Sequence, residues 1–215
     1  MTVYCLTGLG ADSSVFELLQ INHPKVCIEW IPSYPWESMT SYAQRLCSQI
    51  DTSKPFVLLG VSFGGMLAVE MNKYIQPKKT ILVTSLAKRS ELPLWIRLIA
   101  KTKLNRLLPS FLFGSNPKWL ILFFGIKSEK GKQMVTKIAK ISDRTLTKLS
   151  IDKVLNWDNE WLPDNLVRIV ATNDSLLPNP KNIEAYKIEE AGHFAIVENS
   201  EEISVQVDKI LSEVN

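Results

Sequence analysis

The chain has 215 residues, enough for one domain with room for an insertion, and 46% of them are hydrophobic, which supplies a sizeable core and argues against disorder. A net charge of +3 by itself selects no class of partner. Three cysteines (Cys5, Cys27 and Cys47) and two histidines, none at metal-ligand spacing, speak against a disulfide framework or a zinc site and for reduced, buried thiols.

The first residues form no basic or long apolar leader, so no signal peptide is expected. Apolar, β-branched runs then recur at 3–7, 26–30, 56–60, 80–84, 166–171 and, more weakly, 185–188. Helical patterns fall between or after them at 14–20, 39–50, 63–75 and 201–214. Buried strands separated by helices predict a parallel sheet covered on both faces, with right-handed crossovers. The alternation stops between Leu86 and about Trp157, where short helices are punctuated by Pro93, Pro109, Gly114, Pro117 and Gly125. One carries the stripe Leu94, Trp95, Leu98 and Ile99; another places Met134, Ile138 and Ile141 on one face. The expected organisation is a core of residues 1–85 and 157–215 with an inserted helical cap at 86–156. The longest strongly apolar stretch, 119–124, is too short to span a bilayer, so a cytoplasmic protein without a transmembrane segment is expected.

Charge is unevenly divided. Residues 86–150 hold fourteen Lys or Arg against three acids, Glu91, Glu129 and Asp143, a net of about +11 on a chain whose total is +3. Solvated helix faces account for this most simply; attraction to an anionic partner is the sharper reading. Trp95, Phe111, Phe113, Trp119, Phe123 and Phe124 lie in the same region and are read first as its core, second as pocket lining.

The strongest chemical signal is Gly60-Val61-Ser62-Phe63-Gly64-Gly65, placed between an apolar strand and a helical pattern. Gly-x-Ser-x-Gly in that context is a nucleophile elbow, a turn so sharp that side chains at the flanking glycines would strike neighbouring backbone. A serine hydroxyl needs a base, and the elbow's partners follow in the order acid, then histidine. His193 is the single histidine after Ser62, and it lies just past the last candidate strand. Asp174 is the only carboxylate in the loop Thr172-Asn173-Asp174-Ser175-Leu176-Leu177-Pro178 after the penultimate strand. Asp158 and Asp164 precede that strand, and Glu91 belongs to the cap. The predicted set is Ser62 as nucleophile, His193 as base and Asp174 as orienting acid. An oxyanion needs backbone donors, expected from Phe63 and from Leu9 in the turn Thr7-Gly8-Leu9-Gly10.

These motifs resemble the α/β-hydrolase superfamily in its small single-domain branch of esterases and thioesterases. Thr7-Gly8-Leu9-Gly10 is similar to the family's oxyanion loop, with Thr7 where histidine is usual. Ala171-x-x-Asp174-x-x-x-Pro178 followed by Gly192-His193 is similar to its acid and histidine signatures, with Ala171 where glycine is usual. The resemblance covers both ends of the chain but not the cap. It implies a trimmed, wholly parallel sheet of six strands beginning at the family's third, and cleavage of an ester or thioester through an acyl-enzyme without cofactor or metal. The expected partner is a small acyl substrate. The basic cap adds coenzyme A, an acyl carrier protein or an anionic lipid surface as possible anionic carriers, and nucleic acid is not expected.

Three alternatives stand beside this. Gly8-x-Gly10 with Glu29 about twenty residues on is superficially like a dinucleotide fingerprint, but Ser13 occupies the third glycine position. Acyl transfer or lyase chemistry fits the same scaffold, and so does a non-catalytic binding protein.

Overall fold

In the computed structural model, which describes residues 1–110, 116–180 and 183–214, the six apolar runs pair into one sheet. The strands are β1 (Thr2–Leu6), β2 (Lys25–Cys27), β3 (Phe56–Val61), β4 (Lys79–Val83), β5 (Leu166–Ala171) and β6 (Tyr186–Ile188). Their order is β2-β1-β3-β4-β5-β6 and every pairing is parallel. Alternate residues feed two cores on opposite faces. Val3, Cys5, Val57, Leu59, Ile81 and Val83 point to one; Tyr4, Leu6, Phe56, Leu58 and Leu82 point to the other. Burial on both faces is why these strands read as apolar runs rather than as polar alternations.

The order also locates a ligand crevice. The chain steps from β1 outward to β2, then returns to the other side of β1 and continues through β3, β4, β5 and β6. Connections therefore diverge beyond the carboxyl ends of β1 and β3, a topological switch point where open α/β sheets bind ligands. The turns at Gly8 and at Ser62 both sit there.

The flanking helices are α1 (Met39–Leu46) and α2 (Phe63–Met71), then α8 (Ala195–Glu198) and α9 (Ser200–Ser212) near the end of the chain. Ser38 caps α1 by accepting from the Ser41 N–H at 3.0 Å. Every residue of α2 is buried, because it packs against α1 and the sheet. The helix predicted at 14–20 is only a 3₁₀ turn, Ser13–Phe16. The Lys25 ammonium takes the carbonyls of Phe16 and Leu19, which a longer helix would have used internally.

Between β4 and β5 the described residues form α3 (Leu94–Thr102), α4 (Leu104–Leu107), α5 (Pro117–Phe123), α6 (Glu129–Ile141) and α7 (Arg144–Leu155). Their starts follow local chemistry. Asn116 caps α5 with Pro117 in its first turn, Ser128 caps α6, and Asp143 accepts from Thr145 and Leu146 to cap α7. The segment is anchored by its return. Trp157, 1% exposed, donates from Nε1 to Glu70 Oε1 of α2 at 2.7 Å. Glu91 receives Arg168 of β5 at 2.7 and 3.0 Å.

Candidate active site

Ser62 connects the end of β3 to the start of α2 with φ 52° and ψ −119°, a left-handed backbone that a serine adopts only when its surroundings impose it. The Ser62 N–H donates to Val83 O at 3.1 Å, and Ser85 Oγ donates to the Ser62 carbonyl. The glycines make room for this turn. A Cβ on Gly60 would stand 2.5 Å from Gly64 O, and one on Gly64 would run into the carbonyls of Leu6 and Thr7.

Asp174 and His193 arrive from neighbouring strand ends. Asp174 follows β5 and His193 follows β6. The two loops are tied by backbone: Thr172 N–H donates to Ile188 O at 3.1 Å and Asn173 N–H to Ala191 O at 2.9 Å. Asp174 Oδ1 accepts from Leu176 N–H at 3.0 Å and Leu177 N–H at 2.9 Å, which fixes the carboxylate plane. Its Oδ2 meets His193 Nδ1 at 2.7 Å, and His193 Nε2 meets Ser62 Oγ at 2.9 Å. Both Asp174 and His193 are buried. The carboxylate has no proton to give, so Nδ1 carries the hydrogen and the Nε2 lone pair faces the hydroxyl. Phe124, from the end of α5, lies against the imidazole with ring centroids 5.3 Å apart.

Leu9 lines the space around Ser62, and Phe63 opens α2, where the first N–H groups have no partner within the helix. Thr7, 2% exposed, closes the turn by donating from Oγ1 to Ala11 O at 2.9 Å. Trp30 Nε1 donates to the same carbonyl at 3.0 Å. Nothing in the local pattern around Trp30 pointed to this contact, because it spans nineteen positions.

The other three acids weighed from the sequence take no part in this chain of contacts. Asp158 and Asp164 are exposed and precede β5. Glu91 is held by Arg168 and by the Ala87 N–H at 2.7 Å. Among the described residues no group of three or more His, Cys, Asp or Glu is placed to hold a metal ion.

Two cavities adjoin Ser62, of about 400 and 430 Å³. One runs beneath α3, α4 and α7, past Trp95, Ile99 and Val154; the other runs beneath α5 and α6, past Trp119, Leu120 and Ile138. Trp95, Trp119 and Phe124 therefore face the cavities, whereas the first reading of these aromatics made them subdomain core. Phe111 and Phe113 lie outside the described residues, as does the side chain of Phe123. Leu94 and Leu98 of the same helix stripe are 63% and 52% exposed, so α3 turns part of its apolar face outward. Of the Met134, Ile138 and Ile141 face, Ile138 is buried and Ile141 is exposed. Arg106, one of the segment's bases, is committed to Asp152 at 2.9 Å and stacks over Trp36.

No protein-family model and no curated protein sequence matches the chain. Solved structures do. An esterase from Thermogutta terrifontis superposes with a TM-score of 0.72 at 15% identity, over 100% of this chain and 90% of that one. A putative lipase from Acinetobacter baumannii gives 0.72 at 18%, over 99% and 84%. A meta-cleavage product hydrolase from Pseudomonas fluorescens gives 0.71 at 13%, over 100% and 92%. The shared architecture is the α/β-hydrolase fold, and the six-stranded parallel sheet of this chain is a version of it.

Proposed function

We propose that the protein is a serine hydrolase that cleaves a carboxylic ester or thioester through an acyl-enzyme, with Ser62, His193 and Asp174 as its triad. The observation that carries this is the continuous chain from Asp174 Oδ2 to His193 Nδ1, at 2.7 Å, and from His193 Nε2 to Ser62 Oγ, at 2.9 Å. His193 takes the hydroxyl proton as Oγ attacks the carbonyl carbon, and Asp174 stabilises the resulting imidazolium. The oxyanion forms beside the Leu9 and Phe63 amides. Collapse breaks the bond to the leaving group, which receives the proton from Nε2. Water then enters, gives a proton to His193 and releases the acid by the reverse sequence. Residues 86–156 act as a cap that shields these steps, and residues 1–85 and 157–215 form the core. The likeness to esterases, a putative lipase and other hydrolases at the level of fold supports the reaction class.

A fluorophosphonate probe tests this directly. It should label Ser62 in the native chain and leave Ser62→Ala unlabelled. Ester turnover should fall by up to about 10⁶ in kcat. A folded Ser62→Ala protein that keeps near-normal turnover refutes the assignment.

A further inference from the structure

The two cavities differ in one respect that bears on chemistry. Both include Leu9, Ser62, Ile151 and Leu176, so they meet at the nucleophile. His193 lines only the cavity beneath α5 and α6, and Phe63 lines only the cavity beneath α3, α4 and α7. In acyl-enzyme formation the leaving oxygen takes its proton from Nε2, so the leaving group lies on the His193 side. The acyl substituent then points the opposite way, past Phe63. Among the described lining residues neither cavity has a Lys, Arg, Asp or Glu. The polar side chains besides Ser62 are Asn105 on the Phe63 side and Asn116, Thr147 and His193 on the other. Each volume lies within the range of small-ligand pockets, about 300–1,000 Å³. The basic excess of the cap thus stands outside the space that would hold the reacting groups.

From this we infer that the substrate is an ester with an apolar chain on each side of the carbonyl: the cavity beneath α3, α4 and α7 binds the acyl chain, and the cavity beneath α5 and α6 binds an apolar alcohol. The inference rests on the serine-hydrolase reading of Ser62 and His193. The bond changes are those of simple hydrolysis. Ester and water become a carboxylic acid and an alcohol, with no other reactant. A polar or anionic carrier would have to place its arm in the apolar space beside Trp119, Leu120 and Ile138, where no described charged side chain would meet it.

The test is a set of four substrates: methyl hexanoate, hexyl acetate, hexyl hexanoate and hexanoyl-coenzyme A. Each buried methylene is worth about fourfold. With full burial, hexyl hexanoate should therefore exceed methyl hexanoate, which lacks five carbons on the alcohol side, by up to about a thousandfold in kcat/KM, and hexyl acetate, which lacks four on the acyl side, by up to about 250-fold, and should exceed the coenzyme A thioester. Two variants assign the sides. Val154→Phe, which narrows the Phe63-side cavity, should flatten the response to acyl length and retain the response to alcohol length. Leu120→Phe, on the His193 side, should do the opposite. Fluorophosphonate labelling of Ser62 in every variant reports that the nucleophile is intact. Absence of labelling and of hydrolysis in the native chain removes the hydrolase reading and this inference with it. Labelling with no gain from the alcohol chain overturns the inference alone. So does faster turnover of the coenzyme A thioester, and so does an exchange of the two variants' effects.

Discussion

Asp174→Asn isolates what the acid contributes, because the structure dictates how the new amide would sit. Oδ1 is fixed by the N–H groups of Leu176 and Leu177, at 3.0 and 2.9 Å, so an asparagine keeps its carbonyl oxygen there. Its NH₂ then occupies the Oδ2 position, 2.7 Å from His193 Nδ1. Two donors cannot face each other, so Nδ1 gives up its hydrogen and Nε2 carries it instead. The base that should accept from Ser62 Oγ becomes a donor. The loss expected from the wrong tautomer is about 10⁴ in kcat, which at 1.36 kcal/mol per decade is about 5.4 kcal/mol of transition-state stabilisation. Folding loses far less. Two backbone bonds to a charged acceptor become bonds to a neutral one, at about 1 kcal/mol each or below. Steady-state hydrolysis of a short chromogenic ester reads the first quantity, and urea denaturation reads the second. Asp158→Asn and Asp164→Asn, both exposed positions ahead of β5, serve as controls and should change kcat little. A folded Asp174→Asn protein within tenfold of native kcat, or a control that matches its loss, would refute the assignment of the acid.

Two further outcomes follow from packing and charge. Gly64→Ala should destabilise the fold by about 1–3 kcal/mol, since the added methyl meets the backbone carbonyls of Leu6 and Thr7 and no side chain can rotate away; an unchanged urea midpoint with full activity would show the turn to be looser than described. Glu198 links the end of α8 to the start of α6 by accepting from the N–H groups of Lys127 and Ser128, each at 3.0 Å, and from Ser128 Oγ at 2.5 Å. Burial alone would push its carboxyl up, but these bonds outweigh it and hold the carboxyl below its ordinary value. A carboxylate depressed on folding adds stability above its unfolded pKa and loses it as pH falls through the folded one. Glu198→Gln should therefore destabilise the protein at neutral pH, and the difference should shrink as pH falls through and below the ordinary glutamate range; a difference independent of pH would discount the ionised form.

Local patterns carried the strands and the elbow. The runs at 56–60 and 166–171 are apolar on both faces because both faces are covered, and such runs stay legible whatever covers them. Gly60 answers to sterics within the turn itself, against the backbone of Gly64 and Gly65, so the spacing announces a sharp strand-to-helix connection; that Gly64 must also clear the carbonyls of Leu6 and Thr7 only the packing against β1 shows. The chain order of Ser62, Asp174 and His193 singled out residues that the structure brings within hydrogen-bond distance, 2.7 and 2.9 Å, across three strand ends. The segment between β4 and β5 was legible only as amphipathic helices. A stripe such as Leu94, Trp95, Leu98 and Ile99 says that a face is apolar, but it does not say what covers that face. Tertiary packing decided that Trp95 and Ile99 border the cavity although both stay about half-exposed, and that Leu94 and Leu98 do not border it. It also decided that Trp30 and Thr7 close on one carbonyl, and that His193 borders one cavity and Phe63 the other. Those relations join residues far apart in sequence, and a spacing rule reaches no further than the helix or turn in which it operates.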